Sequence, residues 1–517
     1  MRMSRKIVSV SEMVAIEKAA TQIGISYAQM METAGKNLAR AVQSEFKQAP
    51  YKVLGLVGKG NNGGDTLIGL EVLAKLGWPA SAYIVGERDR EDVLVARCRQ
   101  AGTALIWREE DDDLKQLAGL VETSDILLDG LLGTGIRLPL REPYPAVLTV
   151  VNETIQKMAP PPAVVAVDCP SGMDCDSGES AGQAIRADKT VCMAAWKQGM
   201  FKFPGSSCLG EVRLVDIGLP EDFEALASIR RFAVDGEYVL AHLPERPDNS
   251  HKGTYGTALI AAGSRNYPGA ALLAGEAAYR SGAGLVNMAV PESIYLGLVG
   301  HLPEAVWTPL PDAGGAIRGD AVNMIRSQIP GASSLLFGPG FGLAPETKEF
   351  INNLLALDLP PLVVDADGLK LLAQIGGWQK KLPENTVLTP HPGEMAVLSG
   401  ESKEVIQARR FETAEKYAQE WGHVLVLKGA HTVIADPQGS TAVLPLATPA
   451  LARAGSGDVL AGIITGLRAQ GMGTFQAAVC GVWLHGQAGK AAAAARGSTA
   501  GVIAGDLIVE LPKLFPR

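Results

Sequence analysis

The feature that most narrows the fold is a rhythm of short β-rich apolar runs, separated by helical stretches and often ending in glycine, asparagine or aspartate. In the first half these runs are Val53–Val57, Ala80–Val85, Ile126–Leu128, Val164–Val167, Thr190–Met193 and Val212–Val215. Such alternation predicts a parallel sheet covered by helices on both faces. Runs that are apolar throughout, such as Ala163–Val167, suit strands buried on both sides. A second series follows at Ala258–Ala262, Leu285–Val290, Leu335–Phe337, Leu362–Val364, Val387–Leu388, Val424–Leu427 and Thr432–Ile434. Between the two, Leu219–His251 mixes charge with Pro244 and Pro247, which predicts a domain junction within residues 225–245. The 517 residues exceed what one core usually organises, and the expected division is 1–225 and 226–517, both α/β. Ser11–Phe46 predicts a helix broken near Gly24, with Ser11 and Ser26 as N-caps. Gly455–Gln470 predicts a buried helix rich in glycine and alanine, and Ala491–Ala495 a short helical segment. The halves share no motif, so each should carry its own site.

Composition restricts the partners. Hydrophobic residues make up 47% and charged residues 20%, as in globular chains. A formal charge of −8 argues against nucleic acid or an anionic membrane as the main partner. It leaves room for phosphorylated small molecules, which a few amides at a helix start can hold. The six cysteines form no Cys-x-x-Cys pair, so reduced thiols and a cytoplasmic location are expected. Met1–Val10 is basic without the apolar stretch of a signal peptide, and no apolar run reaches membrane-spanning length.

Directly after Val53–Val57 comes Gly58-Lys59-Gly60-Asn61-Asn62-Gly63-Gly64-Asp65. Ligands of doubly wound sheets sit outside the carboxyl ends of strands, where a tight turn feeds a helix. The glycines permit close backbone approach, and the first amides suit a phosphate. Two further strand ends, Asp129–Gly135 and Asp168–Gly172, should converge on the same pocket. Asn62, Asp129 and Ser171 offer only oxygen, which favours a hard cation over zinc or copper. Asp168 is the candidate acid–base carboxylate.

In the second half, Ala454-Gly455-Ser456-Gly457-Asp458 sets an aspartate among glycines where a loop turns into a helix. Free amides there can form an anion hole while the carboxylate accepts a hydroxyl proton. Lys428-Gly429-Ala430-His431-Thr432 follows a strand but is no Walker motif. Prolines on both sides fix His391 in a rigid loop, where a ligand contact is expected. Phe337–Gly342 and Val364–Gly368 are further polar strand ends.

The loops Gly58–Asp65, Asp129–Gly135 and Asp168–Gly172 resemble those of the NAD(P)H-hydrate epimerase family, a Rossmann-like fold that interconverts R and S hydrates and holds potassium. The resemblance implies that Asn61, Asn62, Gly63, Gly64, Asp65, Gly133, Thr134, Gly135, Ile136, Arg137, Leu138 and Pro139 contact the hydrated nucleotide. It further implies that Asn62, Asp129 and Ser171 ligate potassium and that Asp168 meets the nicotinamide ring. Thr66 departs from the small residue common at that place. The second half, with His251–Gly256 and Tyr267–Ala270, is similar to the NAD(P)H-hydrate dehydratase family, whose fold is ribokinase-like. This implies substrate contacts at Ala270, Gly340, His391 and Asp458, nucleotide contacts at Lys428, Gly429, Ala430, His431, Thr432 and Gly457, and use of ADP with magnesium. Over nearly its full length the chain thus resembles the bifunctional NAD(P)H-hydrate repair enzymes, with the NADH and NADPH hydrates and ADP as small-molecule partners. A homo-oligomer is expected. A vitamin- or sugar-type kinase fused to a binding domain and a non-catalytic nucleotide sensor or RNA-decapping scaffold are the rival readings.

Overall fold

A computed structural model of the chain describes residues 5–48 and 50–516 and separates it into two units, Met1–Arg231 and Phe232–Arg517. In the first unit seven strands lie in the order Ala104–Trp107, Ala80–Ile84, Val53–Val57, Ile126–Gly130, Ala163–Val167, Lys189–Met193, Glu211–Val215. Every pairing is parallel. Strand order reverses between Val53–Val57 and Ile126–Gly130, and both strands are buried at every position. Loops leaving their carboxyl ends diverge to opposite faces, which opens a crevice there.

Two helices precede this sheet, Val10–Gln22 and Tyr27–Glu45. Ser26 caps the second, as expected, in a capping box with Gln29. The first is capped by Ser9 rather than Ser11: Ser9 is extended and its hydroxyl accepts from the Glu12 amide at 3.1 Å. The Glu12 carboxylate accepts in turn from the Ser9 amide, and that reciprocal pairing fixes the start two residues earlier.

The second unit carries ten strands in the order Arg231–Ala233, Thr441–Val443, Val433–Ala435, Val424–Leu427, Thr386–Leu388, Leu362–Val364, Ser334–Phe337, Thr257–Ala261, Leu285–Pro291, Val306–Leu310. From Val424–Leu427 to Val306–Leu310 the pairing is parallel. Val433–Ala435 runs antiparallel to both neighbours. The loops at its ends are too short for a crossover helix, so the chain can only turn back as hairpins. Arg231–Ala233 lies within the stretch taken from sequence as a junction. Ala491–Ala495 is the end of a 23-residue helix, Thr474–Arg496, not a segment of its own.

Helix Ser456–Ala469 packs on helix Pro268–Arg280 almost backbone to backbone. A Cβ on Gly462 would overlap the Ala274 carbonyl, and one on Gly466 would overlap the Ser281 hydroxyl. This approach brings the start of one helix beside that of the other. Gly462→Val should therefore destabilise the second unit by about 1–3 kcal/mol, the usual cost of overpacking. A lowered urea midpoint checks this; an unchanged one would mean the helices are not this close. Among the described residues no helix is long and apolar enough to cross a membrane.

Candidate active sites

In the first unit, helix Asn61–Lys75 starts from Gly60 with no side-chain cap, so its first amides stay available to a ligand. A Cβ on Gly58 would overlap the Leu131 carbonyl, and one on Gly63 the Gly58 carbonyl. Only glycine lets the two loops meet in this way. They border a cavity of about 630 Å³ whose lining includes Asn61, Gly63, Thr134, Arg137, Lys59 and Arg141. A smaller cavity of about 150 Å³ is lined by Glu17, Asp65, Asp168, Met193 and Lys197. Asn61, Asn62 and Thr134 line both. Cationic side chains thus border the larger space and carboxyls the smaller one.

The three expected cation ligands meet around Leu131 and Leu132. The Asn62 amide donates to the carbonyls of Leu132, at 3.1 Å, and Val167, at 2.7 Å. Asp129 is wholly buried in its strand and accepts from the Ser171 amide at 2.7 Å and hydroxyl at 2.5 Å. The Ser171 oxygen also accepts from the Leu132 amide at 2.9 Å. Burial pushes the Asp129 carboxyl up to about 6, against these hydrogen bonds. None of these partners is a cation. Among the described residues no group of three or more His, Cys, Asp and Glu is arranged to hold a metal ion, so a cation here would lean on neutral oxygens as well as Asp129.

Asp168 follows its strand in the left-handed region, φ 63°, a conformation that aspartate tolerates better than most residues. Its carboxylate accepts from the Met193 amide at 2.9 Å and from the Lys197 ammonium. Lys197 is 1% exposed and also donates to the Met193 carbonyl at 3.0 Å. Burial alone would lower its pKa; the charge and hydrogen bond of Asp168, together with Cys192 and Cys175, outweigh this and raise it. Lys197 and Glu17 were not singled out from sequence. A lysine closing the apolar run Cys192–Trp196 was the available signal for Lys197. Glu17 sits on a helix remote in sequence and left none. Gly133, Gly135 and Ile136 line the larger cavity. Gly64 instead packs on Met31, and Leu138 and Pro139 lie beyond either lining.

In the second unit Asp458 is the third residue of helix Ser456–Ala469, whose cap is Gly455 at φ 86° with no side-chain bond. Asp458 is half-buried. Burial raises its carboxyl to about 7, with Asp365 adding to the shift and Lys428 opposing it. The Lys428 ammonium lies 2.6 Å from Asp365 Oδ1 and 3.8 Å from Glu394 Oε2. Thr389 donates to the same Asp365 oxygen at 2.7 Å, while Asp365 Oδ2 is buried without a hydrogen-bond partner. A Cβ on Gly457 would come 3.4 Å from the Lys428 nitrogen and 3.8 Å from Asp365 Oδ2. Gly457, Lys428 and Asp458 are therefore assembled around Asp365, a residue seen in sequence only as part of a polar strand end.

His391 caps helix Pro392–Ser399: its Nδ1 accepts from the amides of Gly393 at 2.9 Å and Glu394 at 3.2 Å. That assigns the ring proton to Nε2, which lies 3.2 Å from Glu394 Oε1. The ring keeps 51% of its surface, so one edge stays open. Gly340, at φ 65°, stands so close to Ala270 and Tyr267 that a Cβ would collide with both. In the turn Lys428–Thr432, Gly429 and Ala430 are exposed, whereas His431 and Thr432 are buried. His431 Nδ1 lies 3.3 Å from the Leu444 carbonyl and burial lowers the ring to about 4. The Thr432 hydroxyl donates to the Gly429 carbonyl at 2.9 Å. Beneath the turn the buried Arg410 guanidinium donates to the carbonyls of Leu427, at 2.9 Å, and Lys428, at 3.3 Å.

Residues 27–199 match the family of the YjeF-related protein N-terminus, and residues 258–513 match the NAD(P)H-hydrate dehydratase family. Proteins named bifunctional NAD(P)H-hydrate repair enzyme are similar to the chain throughout. That of Moorella thermoacetica is 36% identical, covering 98% of this chain and 96% of its own. That of Thermofilum pendens is likewise 36% identical, with the same coverage. Among solved structures, an ADP/ATP-dependent NAD(P)H-hydrate dehydratase from Bacillus subtilis, co-crystallised with ATP and Mg2+, is 33% identical. It covers 54% of this chain and 96% of its own, with a TM-score of 0.47.

Proposed function

The chain belongs to the family of bifunctional NAD(P)H-hydrate repair enzymes, and from that premise we propose which of its groups do each job. Its two activities are epimerisation of R and S NAD(P)H-hydrate and dehydration of the S form to NAD(P)H. The first is assigned to residues 1–225 and the second, at the expense of ADP, to residues 226–517.

In the epimerase the larger cavity takes the phosphates and ribose, where Arg137 and the amides of helix Asn61–Lys75 supply positive potential. The smaller cavity takes the hydrated ring, with Asp168 against it. Potassium fits Asn62, Asp129 and Ser171, because Asp129 is a buried carboxylate whose partners are all neutral. When bound it supplies counter-charge and stiffens the loops; the proton chemistry stays with the carboxyls.

In the dehydratase Asp458 takes the proton of the substrate hydroxyl as that oxygen attacks the terminal phosphoryl group of ADP and displaces AMP. Phosphate then leaves the ring with the bonding pair, which the hydroxyl alone does poorly, and loss of a ring proton restores the dihydronicotinamide. Amides at the start of helix Ser456–Ala469 and the Lys428 ammonium stabilise charge on the transferred group. Magnesium would be held beside Asp365, whose Oδ2 is buried and unbonded, and would supply counter-charge to the nucleotide phosphates. The observation that carries this reading is the place of Asp458 at an uncapped helix start, where a Cβ on the adjacent Gly457 would come 3.4 Å from the Lys428 nitrogen; burial there raises its carboxyl to about 7.

A base must be ionised to act, so kcat/KM for dehydration should fall about tenfold per pH unit below a midpoint near 7 and level off above it. A flat profile between pH 5.5 and 8 would exclude Asp458 as the base. The function itself is tested by incubating mixed hydrates with ADP and magnesium while following the dihydronicotinamide absorbance. Full conversion with release of free phosphate is expected. A stable phosphorylated product would mean a kinase, and a half-amplitude plateau would mean that only the dehydratase works.

A further inference from the structure

The ring-sized cavity of the first unit holds more carboxyl groups than one base requires. Glu17, Asp65 and Asp168 all line it, and Lys197 is the cation that faces them among the described residues. That ammonium is already committed. It is buried and donates to Asp168, to the Met193 carbonyl at 3.0 Å and to Cys192 Sγ at 3.5 Å. Asp168 is thus supplied with a counter-charge and a second donor, the Met193 amide. Asp65 has neither. It is 7% exposed, and among the described residues no group donates a hydrogen bond to it. As the fifth residue of helix Asn61–Lys75 it does not cap that helix, whose cap is Gly60.

A buried carboxyl with no donor and no ion-pair partner keeps its proton, because the charged form loses its hydration and gains little in return. Burial, then the charges of Asp168 and Glu17, push the Asp65 carboxyl well above the ordinary range against the opposing charge of Lys197. A carboxyl that keeps its proton thus stands in the same cavity as one that is ion-paired to Lys197, the kind of inequality that separates an acid from a base.

We propose that Asp65 is a second catalytic residue of the epimerase, delivering a proton to the departing hydroxyl, while Asp168 receives the proton of the water that adds back. The proposal rests on the reading of this unit as an epimerase. The ring carbon–oxygen bond breaks as the ring nitrogen's lone pair forms a carbon–nitrogen double bond. The oxygen leaves as water, carrying the Asp65 proton. Water then adds to the other face, the electron pair returns to nitrogen, and the surplus proton passes to Asp168. Each cycle moves one proton from Asp65 to Asp168, and exchange with solvent restores the starting state without any other reactant. Lys197 is a positioning residue: it holds Asp168 as the acceptor and so leaves the proton to Asp65.

The test uses the full chain, each hydrate epimer purified, and water enriched in oxygen-18, without ADP. Wild type should take up one labelled oxygen per epimerisation, read by mass spectrometry of the separated epimers. Asp65→Asn should slow epimerisation about a hundredfold or more, as loss of a general acid does. The variant should bind the hydrate as wild type does and still dehydrate the S form with ADP. Epimerisation without label uptake would overturn the proposal, as would an Asp65→Asn enzyme within a few fold of wild type. Loss of hydrate affinity in that variant would make Asp65 a binding group and overturn it too. A wild-type chain that does not epimerise at all would instead remove the reading on which the proposal stands.

Discussion

Asp458→Asn should lower dehydration of the S-hydrate about a hundredfold or more while leaving nucleotide affinity unchanged. Asparagine keeps the shape of the side chain and the start of helix Ser456–Ala469 but cannot accept a proton. The loss should therefore fall on kcat. Three other carboxylates, Asp365, Asp367 and Glu394, act electrostatically on Asp458, and Lys428 opposes them. They are not substitutes for it. Asp365 is engaged by Lys428 and Thr389, Asp367 by Lys370 and the Gly342 amide, and Glu394 by the His391 amide. Asp458 is left as the carboxyl that balances a raised pKa against an open face of the helix start. Single-turnover conversion with saturating ADP and magnesium is the measurement, with epimerisation by the same preparation as the control for intact protein. Turnover like that of wild type would remove Asp458 from the mechanism. A loss confined to KM would make it a binding residue.

Local pattern made part of this legible in the sequence. The loop Gly58–Asp65 announced itself because backbone approach demands glycine at Gly58 and Gly63, and that demand is written in residue type. Asn62, Asp129 and Ser171 could be placed together because parallel strands bring their carboxyl ends to one edge. What escaped depends on partners distant in the chain. Lys197 becomes a partner of Asp168 only once Trp196–Lys197 pairs with Ile7–Val8 and the ammonium folds back beneath Met193. Asp365 owes its place to Lys428, 63 residues away. Ser9 was passed over for Ser11 because both precede the same amphipathic stretch, and only the reciprocal bond from Glu12 separates them. The polar, proline-rich stretch at the unit boundary masked Arg231–Ala233, a three-residue strand whose neighbour in the sheet lies more than 200 residues further on.

Lys428→Met is expected to produce two losses that a second substitution can pull apart. Asp365 is 1% exposed, and without Lys428 its buried carboxylate keeps only the Thr389 hydroxyl. Breaking a buried pair in this way costs about 3–5 kcal/mol of stability. Nucleotide affinity should fall as well, by about ten- to a hundredfold, the worth of a hydrogen bond from a charged donor to phosphate. The double variant Lys428→Met/Asp365→Asn removes both charges, so most of the stability should return as the stranded carboxylate disappears. The affinity should not return, because the ammonium that faces Gly457 at the helix start is still missing. Calorimetric titration of ADP without magnesium, so that Asp365 as a metal site does not enter, beside urea unfolding of each variant, separates the two effects. Recovery of both in the double variant would mean that Lys428 serves only to neutralise Asp365. Recovery of stability alone would make the same ammonium the partner of Asp365 before the nucleotide binds and of its phosphates afterwards, with Asp365 Oδ1 then released beside the already unbonded Oδ2.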